Sequence, residues 1–155
     1  MFKGTKPLQE CWPVPFLFKL GGMVMSAKQN KETDRHYVEE FWNKKRDLAK
    51  LSDFLTPDYV YHGVGGEITK GIEDMKQFAL RVRQGLPDIH FTFEDIIAEG
   101  DIVMYRYMTR GTTASSKKFS IMGFIQDRFR DGKITETWEI LNMDELYPQI
   151  GRPPA

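Results

Sequence analysis

One cysteine, Cys11, is all that this 155-residue chain holds, which excludes an internal disulfide and a cysteine-built metal centre. Histidine is almost as scarce. His36, His62 and His90 stand far apart, with no His-Glu-x-x-His or His-x-His pair, so local spacing supports no metal site. Neither sign of charge is in excess: 22 lysines and arginines balance 22 aspartates and glutamates. A nucleic-acid partner would ask for a basic stripe, and there is none. No apolar run approaches the length that crosses a bilayer, so no membrane partner is expected. Residues 11–18 are apolar but carry Pro13 and Pro15 and lack a signal-peptide cleavage site. They read as part of a poorly ordered extension over residues 1–30, before a folded domain over 31–152; Met25 is an alternative start. With a single thiol, the expected setting is a reducing cytoplasm. A Gly-x-Ser-x-Gly elbow is also missing, and the glycines at 63–66 are not followed by the Lys-Ser or Lys-Thr of a phosphate loop.

Aromatic rings, at 13% of residues, are plentiful instead. They suit a roomy apolar pocket, although any one of them is as well explained by ordinary core packing. Hydrophobic spacing places helices first. Thr33 or Asp34 would cap one that buries Tyr37, Val38, Phe41 and Trp42, and Asp47 would cap a second carrying Leu48, Leu51, Phe54 and Leu55. Pro57 stops that helix and precedes a short strand over 59–62. A third helix over 72–84 buries Ile72, Met75, Phe78, Ala79 and Val82, until Gly85 and Pro87 end it. Strands follow at 89–98, 102–110, 119–129 and 133–141, joined by hairpin-like turns such as Glu99-Gly100-Asp101 and Asp131-Gly132. Helices before strands predict an α+β fold, a curved antiparallel sheet with helices packed on one side.

The last strand carries the chemistry. In Thr135-Glu136-Thr137-Trp138-Glu139-Ile140-Leu141, alternation puts Thr137, Glu139 and Leu141 on one face and Glu136, Trp138 and Ile140 on the other. A carboxylate facing an apolar interior has its pKa raised by desolvation and moves protons near neutral pH. Glu139 is the leading candidate; the competing reading puts it at the rim, paired with Arg106 or Arg128. His62 ends a short strand beside a glycine turn, where it would face a cavity mouth or simply hydrogen-bond a loop. Trp42 and Trp138 serve either as pocket walls or as core.

A set of pieces in order resembles the SnoaL-like polyketide cyclase (ester cyclase) family of the nuclear transport factor 2-like superfamily. They are Phe41-Trp42-Asn43; Pro57-Asp58-Tyr59-Val60 with His62; Gly71; Leu86-Pro87-Asp88-Ile89-His90-Phe91-Thr92; Glu94-Asp95-Ile96-Ile97-Ala98-Glu99-Gly100-Asp101; Gly111-Thr112; Asp131-Gly132-Lys133-Ile134; Glu136-x-Trp138; and Gln149-Ile150-Gly151. The resemblance covers about residues 34–151. It implies a cone-shaped α+β barrel in which a curved sheet and three N-terminal-side helices enclose an apolar pocket. It also implies ring closure by intramolecular aldol chemistry, with no metal or organic cofactor and an acidic group on the last strand. By position that group is Glu139, with His62 as second catalytic residue. Tyr61, Trp42, Tyr105, Trp138 and Ile125 are the expected substrate contacts. Four features depart from the family pattern: Glu139 and Asn142 stand where aspartate is usual, Thr113 replaces a histidine, and residues 114–118 form a shortened loop. Ile125 and Gly123 bring no polar side chain to positions where the family can place one.

Three functions are consistent with this reading. The first is a cofactor-independent acid/base enzyme, cyclase- or isomerase-like, acting on a small apolar or polyketide-like carbonyl compound. The second is a non-catalytic binder of a hydrophobic molecule. The third is an interaction module whose sheet forms a homodimer.

Overall fold

The computed structural model describes residues 26–45 and 47–151. Cys11, Met25 and nearly all of the expected extension lie outside them. The first helix, α1 (Ala27–Tyr37), starts earlier than Thr33 or Asp34 suggested. Ser26 caps it, accepting from the Gln29 amide while the Gln29 side chain accepts from the Ser26 amide. This reciprocal capping box satisfies two otherwise orphaned amides. Asp34 is therefore mid-helix, and it is buried. A wider π-helical turn, Val38–Asn43, continues α1 and buries Val38, Phe41 and Trp42 as the spacing predicted. Asp47 does cap the next turn, its carboxylate accepting from the Ala49 amide at 2.9 Å, and α2 (Leu51–Phe54) follows.

Strand β1 (Leu55–His62) begins four residues sooner than expected, so Pro57 lies inside it. It is accommodated because the pairing of β1 with the last strand is irregular between Leu55 and Val60, and a bulge spares the ladder the missing N–H. After β2 (Ile68–Lys70), helix α3 (Gly71–Gly85) lies across β1. Then come β3 (His90–Glu99), β4 (Ile102–Thr112), β5 (Lys118–Arg130) and β6 (Lys133–Leu141). At the β5–β6 turn, Asp131 and Gly132 both have positive φ (52° and 78°). Such a two-residue turn matches the twist of the strands it joins.

The six strands form one sheet in the order β2-β1-β6-β5-β4-β3. All neighbours are antiparallel except β1 and β6, which run parallel. The sheet curves without closing, leaving β2 and β3 as its edges. A helix that the sequence reading did not separate, α4 (Met143–Ile150), packs on β5. Gln149 clamps it there, accepting from the Ser120 amide at 2.9 Å and donating to the Ser120 carbonyl at 3.1 Å. The core between helices and sheet includes Phe41, Leu51, Leu55, Val103 and Ile134.

Candidate active site

Strand alternation decides which side chains enter the space inside the curved sheet. On β1 the odd positions Tyr59 and Tyr61 point inward, on β4 Tyr105, Tyr107 and Thr109, on β5 Ile125 and Asp127, and on β6 Thr137, Glu139 and Leu141. Together with Trp42, Phe78 and Phe91 from the helix side and β3, they surround a cavity of about 250 Å³. Leu146 and Ile150 of α4 line it as well. Rings form a large part of its wall: Trp42 meets Phe91 at 5.7 Å between centroids and Phe78 edge-on at 6.4 Å, and Tyr61 meets Phe78 at 5.0 Å.

Half-buried Glu139 is the focus of this apolar space. Tyr61 donates its hydroxyl to Oε2 and Tyr107 donates to Oε1, so each carboxylate oxygen is held by a phenol from a different strand. Burial pushes the Glu139 pKa upward, and the two phenol donors pull it back. Both phenols are themselves pushed well above their usual range, first by burial and then by the neighbouring carboxylate. They remain protonated donors throughout the ordinary pH range.

Of the sequence candidates, the fold brings Glu139, Tyr61, Trp42, Tyr105 and Ile125 to the cavity. Ile125 is the direct cross-strand partner of Glu139. His62 and Trp138 do not join them. Because Tyr61 and Glu139 point inward, their chain neighbours must point outward, and the two rings stack on the outer sheet face, 4.5 Å apart and 8° from parallel. There the His62 Nε2 sits 2.8 Å from Glu136 Oε1. A cavity role for His62 and a wall role for Trp138 are thus corrected by strand alternation. Nor is Glu139 at the rim with an arginine: Arg106 pairs with Asp95 and Arg128 with Asp101.

Tyr107 was missed, although a signal for it exists. It lies opposite Gly123 on β5, and a Cβ at Gly123 would run into the Tyr107 phenol and come within 2.6 Å of Leu141 Cδ2. The bare backbone at 123 is what lets Tyr107 reach Glu139. Asp127 was also missed. It is 1% exposed, borders the cavity and accepts the Thr137 hydroxyl. Burial raises its pKa to about 6. Among the described residues, no three His, Cys, Asp or Glu side chains are grouped to hold a metal ion.

The family model for the SnoaL-like polyketide cyclase matches residues 32–150. No curated protein matches. Among solved structures, IdmH from Streptomyces antibioticus, assigned as a polyketide cyclase, is 27% identical, with 80% of this chain and 99% of that one covered at a TM-score of 0.70. AclR from Streptomyces galilaeus, assigned as a hydroxylase, is 25% identical over 84% of this chain and 89% of that one, also at 0.70. A protein from Jannaschia sp. CCS1, assigned as a SnoaL-like polyketide cyclase, shares the fold at a TM-score of 0.74 and 21% identity, over 86% of this chain and all of that one. A match running from mid-α1 to the end of α4, around a helix-covered curved sheet, means that this chain belongs to the SnoaL-like polyketide cyclase family.

Proposed function

We propose that this protein is a small-molecule enzyme that uses acid/base chemistry, without an organic cofactor, on an apolar carbonyl compound in the manner of a polyketide cyclase or isomerase. One observation carries the reading: a carboxylate, Glu139, is held by two phenols inside an aromatic-lined cavity. As a base, Glu139 takes a proton from the carbon beside a carbonyl. Its desolvated setting makes it a stronger base than a solvated glutamate, and Tyr61 and Tyr107 fix its direction. Closing a polyketide-like ring needs little more than this proton movement and a substrate folded into one conformer. The resemblance to IdmH favours such a substrate class.

The test is α-proton exchange. β-Tetralone, a compact bicyclic ketone, is incubated in heavy water with the protein, and deuterium uptake is followed by NMR. Glu139→Gln should lower the exchange rate by about 100-fold or more. An unchanged rate removes Glu139 as the base.

One observation favours a non-catalytic binder instead: both Glu139 oxygens are already satisfied by phenols, as a purely structural carboxylate would be. Binding of β-tetralone with no exchange supports that reading. Our proposal also includes a cytoplasmic location and a homodimer formed through the outer sheet face. There Phe124 and Ile140 are direct cross-strand partners, and Met104, Met122 and Trp138 share their exposure. An apolar patch of this kind is characteristic of a contact surface. Phe124→Glu should halve the mass measured by light scattering; an unchanged mass rejects this surface.

A further inference from the structure

Asp34 presents a problem that Glu139 does not solve. It is 0% exposed, in the middle of α1, and neither of its carboxyl oxygens receives a hydrogen bond from an N–H or O–H donor among the described residues. An ionised carboxylate in that position would cost several kcal/mol. The group it faces is another carboxyl, Asp127 of β5. Two carboxyls form a hydrogen bond only when a proton lies between them.

Asp127 in turn borders the cavity, on the same sheet face as Glu139. Its cross-strand partner is Thr137, two residues from Glu139 on β6. Such diagonal neighbours are about 7–8 Å apart along the sheet, so both carboxyls can reach towards one carbonyl group and its α-carbon between them. A carbonyl oxygen becoming an enol or an alcohol needs a proton of its own. Tyr61 and Tyr107 are committed to Glu139, and the Thr137 hydroxyl to Asp127.

We propose that Asp34 and Asp127 are a proton-sharing carboxyl pair and that Asp127 is a second catalytic acid of this cavity, with Asp34 as its positioning residue. This rests on the acid/base reading above. In the step assigned to them, the Glu139 carboxylate takes the α-proton, and the C–H electron pair becomes the C=C bond. The carbonyl π pair moves onto oxygen, which takes the proton of Asp127. Glu139 ends neutral and Asp127 ionised; the reverse step returns both.

The groups facing Asp127 agree with this division of labour. They are Asp34 and Tyr37 on α1, Tyr59 on β1, Tyr105 on β4, and Thr137 and Glu139 on β6. None is a cation. Burial is the main cause that brings Asp127 to about 6, while Thr137, Asp34 and Tyr105 oppose it by hydrogen bonding and the Glu139 charge adds to it. Burial and the Asp127 charge raise Asp34 as well, so the pair holds a proton that neither carboxyl would keep in water.

The experiment follows β-tetralone exchange against pH in the full-length chain. Wild type should give a bell, with its alkaline limb near pH 6. Asp127→Asn should lose that limb and at least tenfold in kcat, with KM within about threefold. In Asp34→Asn the amide donates permanently to Asp127, so the fold is kept and the limb moves to lower pH. An Asp127→Asn variant with wild-type rate and limb overturns the proposal while leaving Glu139 in place. Loss of exchange in Glu139→Gln alone has the same meaning. Carbon-13 NMR of labelled aspartate carboxyls decides the pair independently of turnover. Two resonances should titrate above the ordinary aspartate range, one of them near 6. If both titrate in the ordinary aspartate range, or if wild type shows no exchange at all, the proposal fails.

Discussion

At the scale of single residues, the site depends on one absence as much as on its acids. Gly123 leaves the space through which Tyr107 reaches Glu139. Gly123→Ala should destabilise the fold by about 1–3 kcal/mol in a denaturant titration, because two neighbours must move to admit the methyl group. Tyr107→Phe keeps the ring and removes the donor. Since that donor lowers the Glu139 pKa, its loss should move the acid limb of the exchange profile to higher pH; an unmoved limb means that the hydrogen bond does not govern Glu139. The sequence made Glu139 visible through an apolar last strand and its position in the family resemblance, and Tyr61 through that resemblance alone. It hid Asp34 and Asp127 because a lone aspartate in a polar stretch reads as a cap or a solvated edge. Their burial emerges only when α1 is laid over β4 and β3.

Elements were legible where a single period ran long enough. The strands β4, β5 and β6 and the stripe of α3 appear where alternation and helical spacing placed them. The parity argument also contained its own correction, since Trp138 cannot share a face with Glu139. Less legible was α4, a helix of 8 residues containing Pro148; too few positions repeat there to fix a period. Its start is marked chemically instead. Asn142 caps it by accepting from the Glu145 amide. Asn142→Ala should cost about 1 kcal/mol in stability, measured by denaturant unfolding, and should weaken β-tetralone binding, because Leu146 and Ile150 lose their anchored helix. A null effect on both would show that Gln149 alone holds α4 in place.

On the scale of the whole molecule, three acids among the described residues have pKa values raised by burial: the buried Asp34 and Asp127 and the half-buried Glu139. The consequence for stability has a definite sign. An unfolded aspartate titrates at about 3.9, the folded Asp127 at about 6. Between those values the native protein keeps a proton that the unfolded chain has released. The resulting stability is complete below the lower value and is lost as pH rises through the upper one. For Asp127 this amounts to about 3 kcal/mol by neutral pH. Asp34 and Glu139 act in the same direction. Asp58 and Asp88, exposed and held low by Arg130 and by the Thr112 amide respectively, work the other way but are screened by water. Denaturant midpoints should therefore fall between about pH 4 and pH 6, and Asp127→Asn should flatten that slope. A wild-type midpoint that rises over the interval contradicts the buried acids.

The reversal between β5 and β6 has a role beyond joining two strands. Side chains repeat every second position, so a one-residue slip there would rotate all of β6 by half a period. The reactive glutamate would then face solvent and an indole would drop into the void. Asp131 and Gly132, by fixing that phase, determine whether the chain holds a reaction chamber or a plugged shell.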